Sequence, residues 1–171
     1  RFDPRHGSLL SVSLSYSPQF LGSTLSYVRS FSQYTMYREI GSSLTWASCY
    51  RLGLASAFGE TLIPGKRFFA GGGTSIRGFK LDAVGPLDLW TGLSEGGEAM
   101  VVMNQELRFP IYKMFRGVVF FDAGNVYSRL KDLNPLRLRT GAGFGLRIAT
   151  PVGLIRVDYG LNLKPRTGEP R

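Results

Sequence analysis

Apolar and small polar residues alternate with period two along most of this chain. In Ser8–Tyr16, Leu10, Val12, Leu14 and Tyr16 share one face and Ser11, Ser13 and Ser15 the other, which predicts a half-buried strand. Serines in place of long charged residues on the polar face suit a crowded polar lumen better than open water. Pro18–Ser23 predicts a turn. Leu25–Ile40 is a second, longer strand, in which the break in alternation at Phe31-Ser32-Gln33 allows a bulge or bend. After a tight turn at Gly41-Ser42, Leu44, Trp46, Tyr50, Leu52 and Leu54 form one face of a third strand. Thr45, Ala47, Cys49, Arg51 and Gly53 form the other.

From Phe58 to Gly97 no period persists. A connection of roughly 40 residues far exceeds the usual loop length, which points to a functional loop. It contains the triplet Gly71-Gly72-Gly73 and the sequence Ile76-Arg77-Gly78-Phe79. Alternation resumes over Glu98–Phe109, with Val101, Met103, Leu107 and Phe109 outward, Asn104, Glu106 and Arg108 inward, and Gln105 an outward exception. Pro110–Arg116 predicts a turn, Gly117–Tyr127 a strand carrying Asp122, and Ser128–Pro135 a polar loop. In Leu138–Thr150, Gly141, Gly143, Gly145 and Arg147 oppose Ala142, Phe144, Leu146 and Ile148. Glycine at such positions makes room for something packed against the wall. A turn at Pro151-Val152-Gly153 precedes a last strand, where Ile155, Val157, Tyr159 and Leu161 alternate with Arg156, Asp158 and Gly160. About seven strands, joined by hairpins with short turns and longer loops in alternation, predict an all-β chain and a transmembrane antiparallel β-barrel.

Composition narrows the reading further. No run of about 18 apolar residues is present, so no transmembrane helix is encoded. The opening Arg1-Phe2-Asp3-Pro4-Arg5 is not a signal peptide. The net charge of +9 raises nucleic-acid binding, but Lys and Arg are scattered one per strand or turn, and no nucleic-acid partner is expected. A lumen, or loops facing anionic lipid, accounts for scattered cations better. Cys49 and His6 are each the single residue of their type, so a disulfide, a thiolate zinc site and Ser–His catalysis lack material, and no metal or cofactor is expected. His6 reads as a turn residue.

Four stretches, taken together and in order, resemble one family. They are Phe2-Asp3-Pro4-Arg5-His6-Gly7; Arg67-Phe68-Phe69-Ala70-Gly71-Gly72 with Ser75-Ile76-Arg77-Gly78-Phe79; Phe120-Phe121-Asp122-Ala123-Gly124-Asn125-Val126-Tyr127; and Gly143-Phe144-Gly145-Leu146-Arg147 through Pro151-Val152-Gly153 to Arg156-Val157-Asp158-Tyr159-Gly160. The chain is similar to the Omp-eighty-five superfamily, the bacterial surface antigen domain of BamA/TamA-type outer-membrane assembly factors, in the C-terminal part of the barrel. The second stretch matches the family's signature loop, with Ile76 where Val is usual.

The resemblance implies that the whole chain, 1–171, is part of a sixteen-stranded barrel, with a lumen-inserted loop at about 58–97 whose Arg77 points at the inner wall. A guanidinium in a lumen needs carboxylates. Glu106 and Asp122 lie on inward faces of neighbouring strands and are its expected partners. Gly71, Gly72, Gly73 and Gly78 would let the loop turn and approach the wall, and Phe79 would pack on Gly143 and Gly145. The missing terminal strand and the missing POTRA domains leave three readings open: a fragment, part of a larger protein, or a small member of about eight strands.

The function implied is non-enzymatic insertion of unfolded outer-membrane protein clients. Its partners would be membrane lipid and accessory assembly lipoproteins or periplasmic subunits, in the outer membrane of a Gram-negative bacterium or a related organelle. A two-partner secretion pore, a membrane anchor for a fused passenger domain such as a patatin-like lipase, and a soluble β-sandwich module are the alternatives. A glycosidase reading of Asp122 and Glu106 is weak, because Arg77 between them would keep both ionised.

Overall fold

The computed structural model describes residues 4–18, 25–59, 61–88, 90–150 and 153–165. Its strands are β1 (Gly7–Ser17), β2 (Tyr27–Ile40), β3 (Leu44–Ala57), β4 (Ala99–Tyr112), β5 (Phe115–Tyr127), β6 (Arg139–Ala149) and β7 (Leu154–Asn162). All neighbours are antiparallel and follow chain order in a single seven-stranded sheet. Each strand is the partner of its sequence neighbour, as expected of a hairpin-built wall. Among the described residues β1 and β7 do not pair with each other, so the sheet has two edges.

One face of the sheet is apolar and open. Leu10, Val12, Leu14 and Tyr16 of β1, Tyr50 and Leu52 of β3, Val119 and Phe121 of β5, Phe144 of β6, and Val157 and Tyr159 of β7 are all exposed. An apolar face of this breadth suits hydrocarbon, not water. No helix among the described residues is long and apolar enough to cross a membrane, which leaves spanning strands untouched.

Gln105, the polar exception on this face, has a local explanation. It stands opposite Ser48 in the β3–β4 register. Its Oε1 accepts hydrogen bonds from Ser48 Oγ at 2.6 Å and from the indole Nε1 of Trp46 at 2.9 Å. The amide oxygen is therefore satisfied by its own wall.

Part of the other face is covered by the β3–β4 connection, residues 58–98, which leaves β1 open. A short 3₁₀ turn (Pro64–Lys66) and isolated bridges Phe68↔Gly97, Ala70↔Val84 and Leu87↔Ser94 give the connection its shape. Its Leu62, Phe68, Ala70, Ile76 and Val84 pack with Ala55, Met100, Val102 and Val126 of the wall as one core. The main hydrophobic core thus lies between the loop and the sheet. Ile76 is fully buried in it, a contribution of about 1.5–3 kcal/mol.

Several expectations need correction. No bulge occurs at Phe31-Ser32-Gln33: β2 pairs residue for residue with both neighbours there. The expected Pro110–Arg116 turn shrinks to Lys113-Met114, since β4 runs through Pro110 to Tyr112 and β5 starts at Phe115. Pro110 cannot donate to the ladder, and the register shifts between Pro110 and Tyr112, which is how a strand tolerates proline. Lys113 then turns the chain with φ 46°. The serine face of β1 is not crowded within this chain: Ser11 and Ser13 are exposed. Residues 19–23 of the expected Pro18–Ser23 turn, and Pro151 and Val152, lie outside the described residues.

Candidate functional site

The loop reaches the wall through a compact turn. Gly71 and Gly72 have φ of 120° and 86°, which side-chain-bearing residues rarely adopt. Ser75 closes the turn: its Oγ accepts from the Gly71 N–H at 2.7 Å and donates to the Gly71 carbonyl at 2.9 Å. Ile76 then enters the core and Arg77 turns to the sheet. Gly73 behaves differently from its neighbours. Its φ lies outside the left-handed region and the space where a Cβ would stand is open, so its backbone freedom is not what shapes the loop.

Arg77 is 6% exposed and Asp122 is 0% exposed. The Arg77 Nε donates to Asp122 Oδ2 at 2.7 Å and Nη2 to Oδ1 at 2.8 Å, a bidentate fork. The backbone N–H of Arg77 adds a third bond to Oδ2 at 3.0 Å. Nη1 donates to Glu106 Oε1 at 2.6 Å and more distantly to Asp158 Oδ2 at 3.4 Å. The Phe120 ring lies under the guanidinium, 3.5 Å from centroid to Cζ. Arg77 of the loop motif and the two carboxylates named from sequence thus meet at one point.

Residues that the sequence reading placed on strands but did not assign to the site complete the cluster. Asn104 Nδ2 donates to Asp122 Oδ1 at 2.8 Å and to the Ser75 carbonyl at 2.5 Å, joining strand and loop. Arg108 donates to Glu106 Oε2 at 2.8 Å. Arg147 pairs with Asp158 and reaches Glu106 at 3.4 Å. The alternation in β6 and β7 already put Arg147 and Asp158 on the inward face. What it lacked was the position of the loop tip over those strands.

Close approach of the loop depends on glycine in both partners. A Cβ at Gly78 (φ 91°) would stand 2.6 Å from the Leu161 backbone. A Cβ at Gly141 would overlap the Arg77 carbonyl oxygen, and one at Gly160 would press on Arg77 and Gly78. Gly143 and Gly145 have other neighbours. Phe120 and Tyr159 fill the space at Gly143, and Asp158 and Arg147 that at Gly145. Phe79 does not pack there: it lies beside Arg139, whose guanidinium is 5.0 Å from its ring centroid, and borders the loop core.

The arrangement holds a loop to a wall. Each carboxylate of the cluster accepts hydrogen bonds from arginine.

The Omp85 superfamily domain model matches residues 1–171, the entire chain. The chain belongs to the Omp85 superfamily. Among curated relatives of this Omp85 segment, the chloroplastic outer envelope protein 39 of Arabidopsis thaliana is 35% identical over 64% of this chain and 31% of its own length. Outer membrane protein assembly factor BamA of Nitratidesulfovibrio vulgaris is 26% identical over 97% of this chain and 22% of its own length. Sorting and assembly machinery component 50 homolog A of Xenopus laevis is 29% identical over 96% and 35%. The crystal structure of BamA from Haemophilus ducreyi lacking POTRA domains 1–3 superimposes with a TM-score of 0.87 at 24% identity, covering 99% of this chain and 37% of that one. The chain spans little more than a third of these relatives at most, and its strands share the fold of the BamA barrel.

Proposed function

We propose that this Omp85 segment is the C-terminal part of a barrel, in the outer membrane of a Gram-negative bacterium or a derived organelle, that inserts unfolded outer-membrane proteins without catalysis. Two relatives named as assembly components, from a bacterium and an animal, align with nearly the whole chain and support this reading. So does the physics of the task. An unpaired strand amide in hydrocarbon costs several kcal/mol, and a barrel that offers a strand edge relieves that cost by strand addition. Lipid thinned beside such a wall lowers the barrier further. Neither step needs a nucleotide or a nucleophile.

The observation that carries the role of the site is the Arg77–Asp122 fork, sealed inside the wall. In this reading it keeps the loop braced against the barrel while a seam elsewhere opens. Residues Ile76, Arg77, Gly78 and Phe79, with Glu106 and Asp122, form that brace. Accessory lipoproteins or periplasmic subunits would act with it.

The test places the full protein that carries this segment in liposomes and adds a urea-denatured outer-membrane barrel as client. Insertion is followed by heat-modifiability and protease protection. Faster insertion than in protein-free liposomes, without nucleotide, is expected. A rate equal to that of bare liposomes would overturn the proposal.

A further inference from the structure

A second feature of the inner face adjoins the brace and adds Arg51 and Arg156, which the brace does not use. A half-open pocket of about 200 Å³ lies beside the loop turn, between β2, β3, β4 and β7. Among its described lining residues are four arginines, Arg51, Arg77, Arg108 and Arg156, and a single carboxylate, Glu106. That carboxylate is already shared by Arg77 and Arg108. Arg51 and Arg156 bond largely to neutral oxygens. Arg51 donates to Gln33 Oε1 at 3.1 Å and to the Thr74 carbonyl at 2.8 Å. Arg156 donates to the Gly73 carbonyl and stands 3.5 Å from Asp158. Its side chain remains 46% exposed.

Cations in a partly enclosed cleft with low-dielectric walls focus a positive potential. An amide or peptide carbonyl is a weaker acceptor for guanidinium than a carboxylate, which also matches the planar fork. We infer that this pocket, between Arg51 and Arg156, binds the carboxylates of an acidic stretch of polypeptide lying along the inner face. A charge excess in a half-open pocket favours an acidic segment, while its small volume admits only one or two side chains at a time. The inference stands apart from the insertion reading, because binding is measured with no insertion step.

The full protein in detergent micelles is titrated against a fluorescein-labelled peptide of alternating Asp and Ser, and anisotropy is read at low and high salt. The Asn/Ser counterpart and inorganic phosphate serve as comparisons. The acidic peptide should bind, weaken as salt rises, and outcompete the Asn/Ser peptide. The Arg51→Gln/Arg156→Gln double variant should bind roughly tenfold more weakly, and the Arg51→Lys/Arg156→Lys variant should retain most of the affinity, since charge persists. Heat-modifiability of each variant reports whether the barrel remains folded. If the double Gln variant loses it, single Arg156→Gln, at a half-exposed position, takes its place. Equal binding of both peptides, unchanged affinity in a folded Gln variant, or binding of phosphate but not peptide would each overturn the inference.

Discussion

Strands β4–β7 and strand β1 carry the same period-two pattern, yet their inner faces meet opposite surroundings. Over β4–β7 the loop lies close, Asp122 is sealed from solvent, and glycine at 141 and 160 admits the loop backbone. On β1, Ser11 and Ser13 are open, and so are Leu10, Val12 and Leu14 on the opposite face. Alternation alone therefore sets which way a side chain points and not what it meets. Buried charge and glycine accumulate where the loop docks, and small neutral residues where it does not.

The comparison is broken most severely at the fork. Asp122→Arg, or Arg77→Ala, strands a buried charge without its partner and should cost about 3–5 kcal/mol. The loss would be read as a fall in the urea midpoint of the full protein in detergent, and unchanged unfolding would remove the brace. Gly141→Ala should cost about 1–3 kcal/mol, because the new methyl falls on the Arg77 carbonyl and the loop must shift. A matching Gly153→Ala, where the space is open, should cost far less. Arg51→Gln removes one charged hydrogen bond to the loop and should cost about 1 kcal/mol. Limited proteolysis near Thr74 would show it as faster cleavage. Ser13→Asn on the open face of β1 should change stability by less than about 0.5 kcal/mol, and a large effect there would mean that the face is covered in the full protein.

Much of this was legible in the sequence for a physical reason. A wall that faces an apolar medium on one side favours alternation, and the strands show it apart from local breaks such as Ser32 in β2 and Gln105 in β4. Element ends were less legible. Pro110 reads as a strand breaker, and only the register shift beside it explains its place within β4. Mixed residues at Phe31-Ser32-Gln33 mimic a bulge because serine occupies the outward face there. The loop has no period, so its path is invisible to pattern. Its meeting with Glu106 and Asp122 was implied by the family resemblance, which set Arg77 against the inner wall, where a confined guanidinium needs carboxylates. The contributions of Asn104, Arg108, Arg147, Asp158 and Phe120 depend on where the loop tip lands across three strands, which no local pattern records. Phe79 was misplaced for the same reason.

The central claim is that Arg77 and Asp122 act as one unit joining loop to wall. A double-mutant cycle on the full protein, with Arg77→Ala, Asp122→Ala and both together, measures that directly in urea unfolding. A coupling of at least about 2 kcal/mol is predicted, with the double variant scarcely worse than either single one. Strictly additive losses would contradict it.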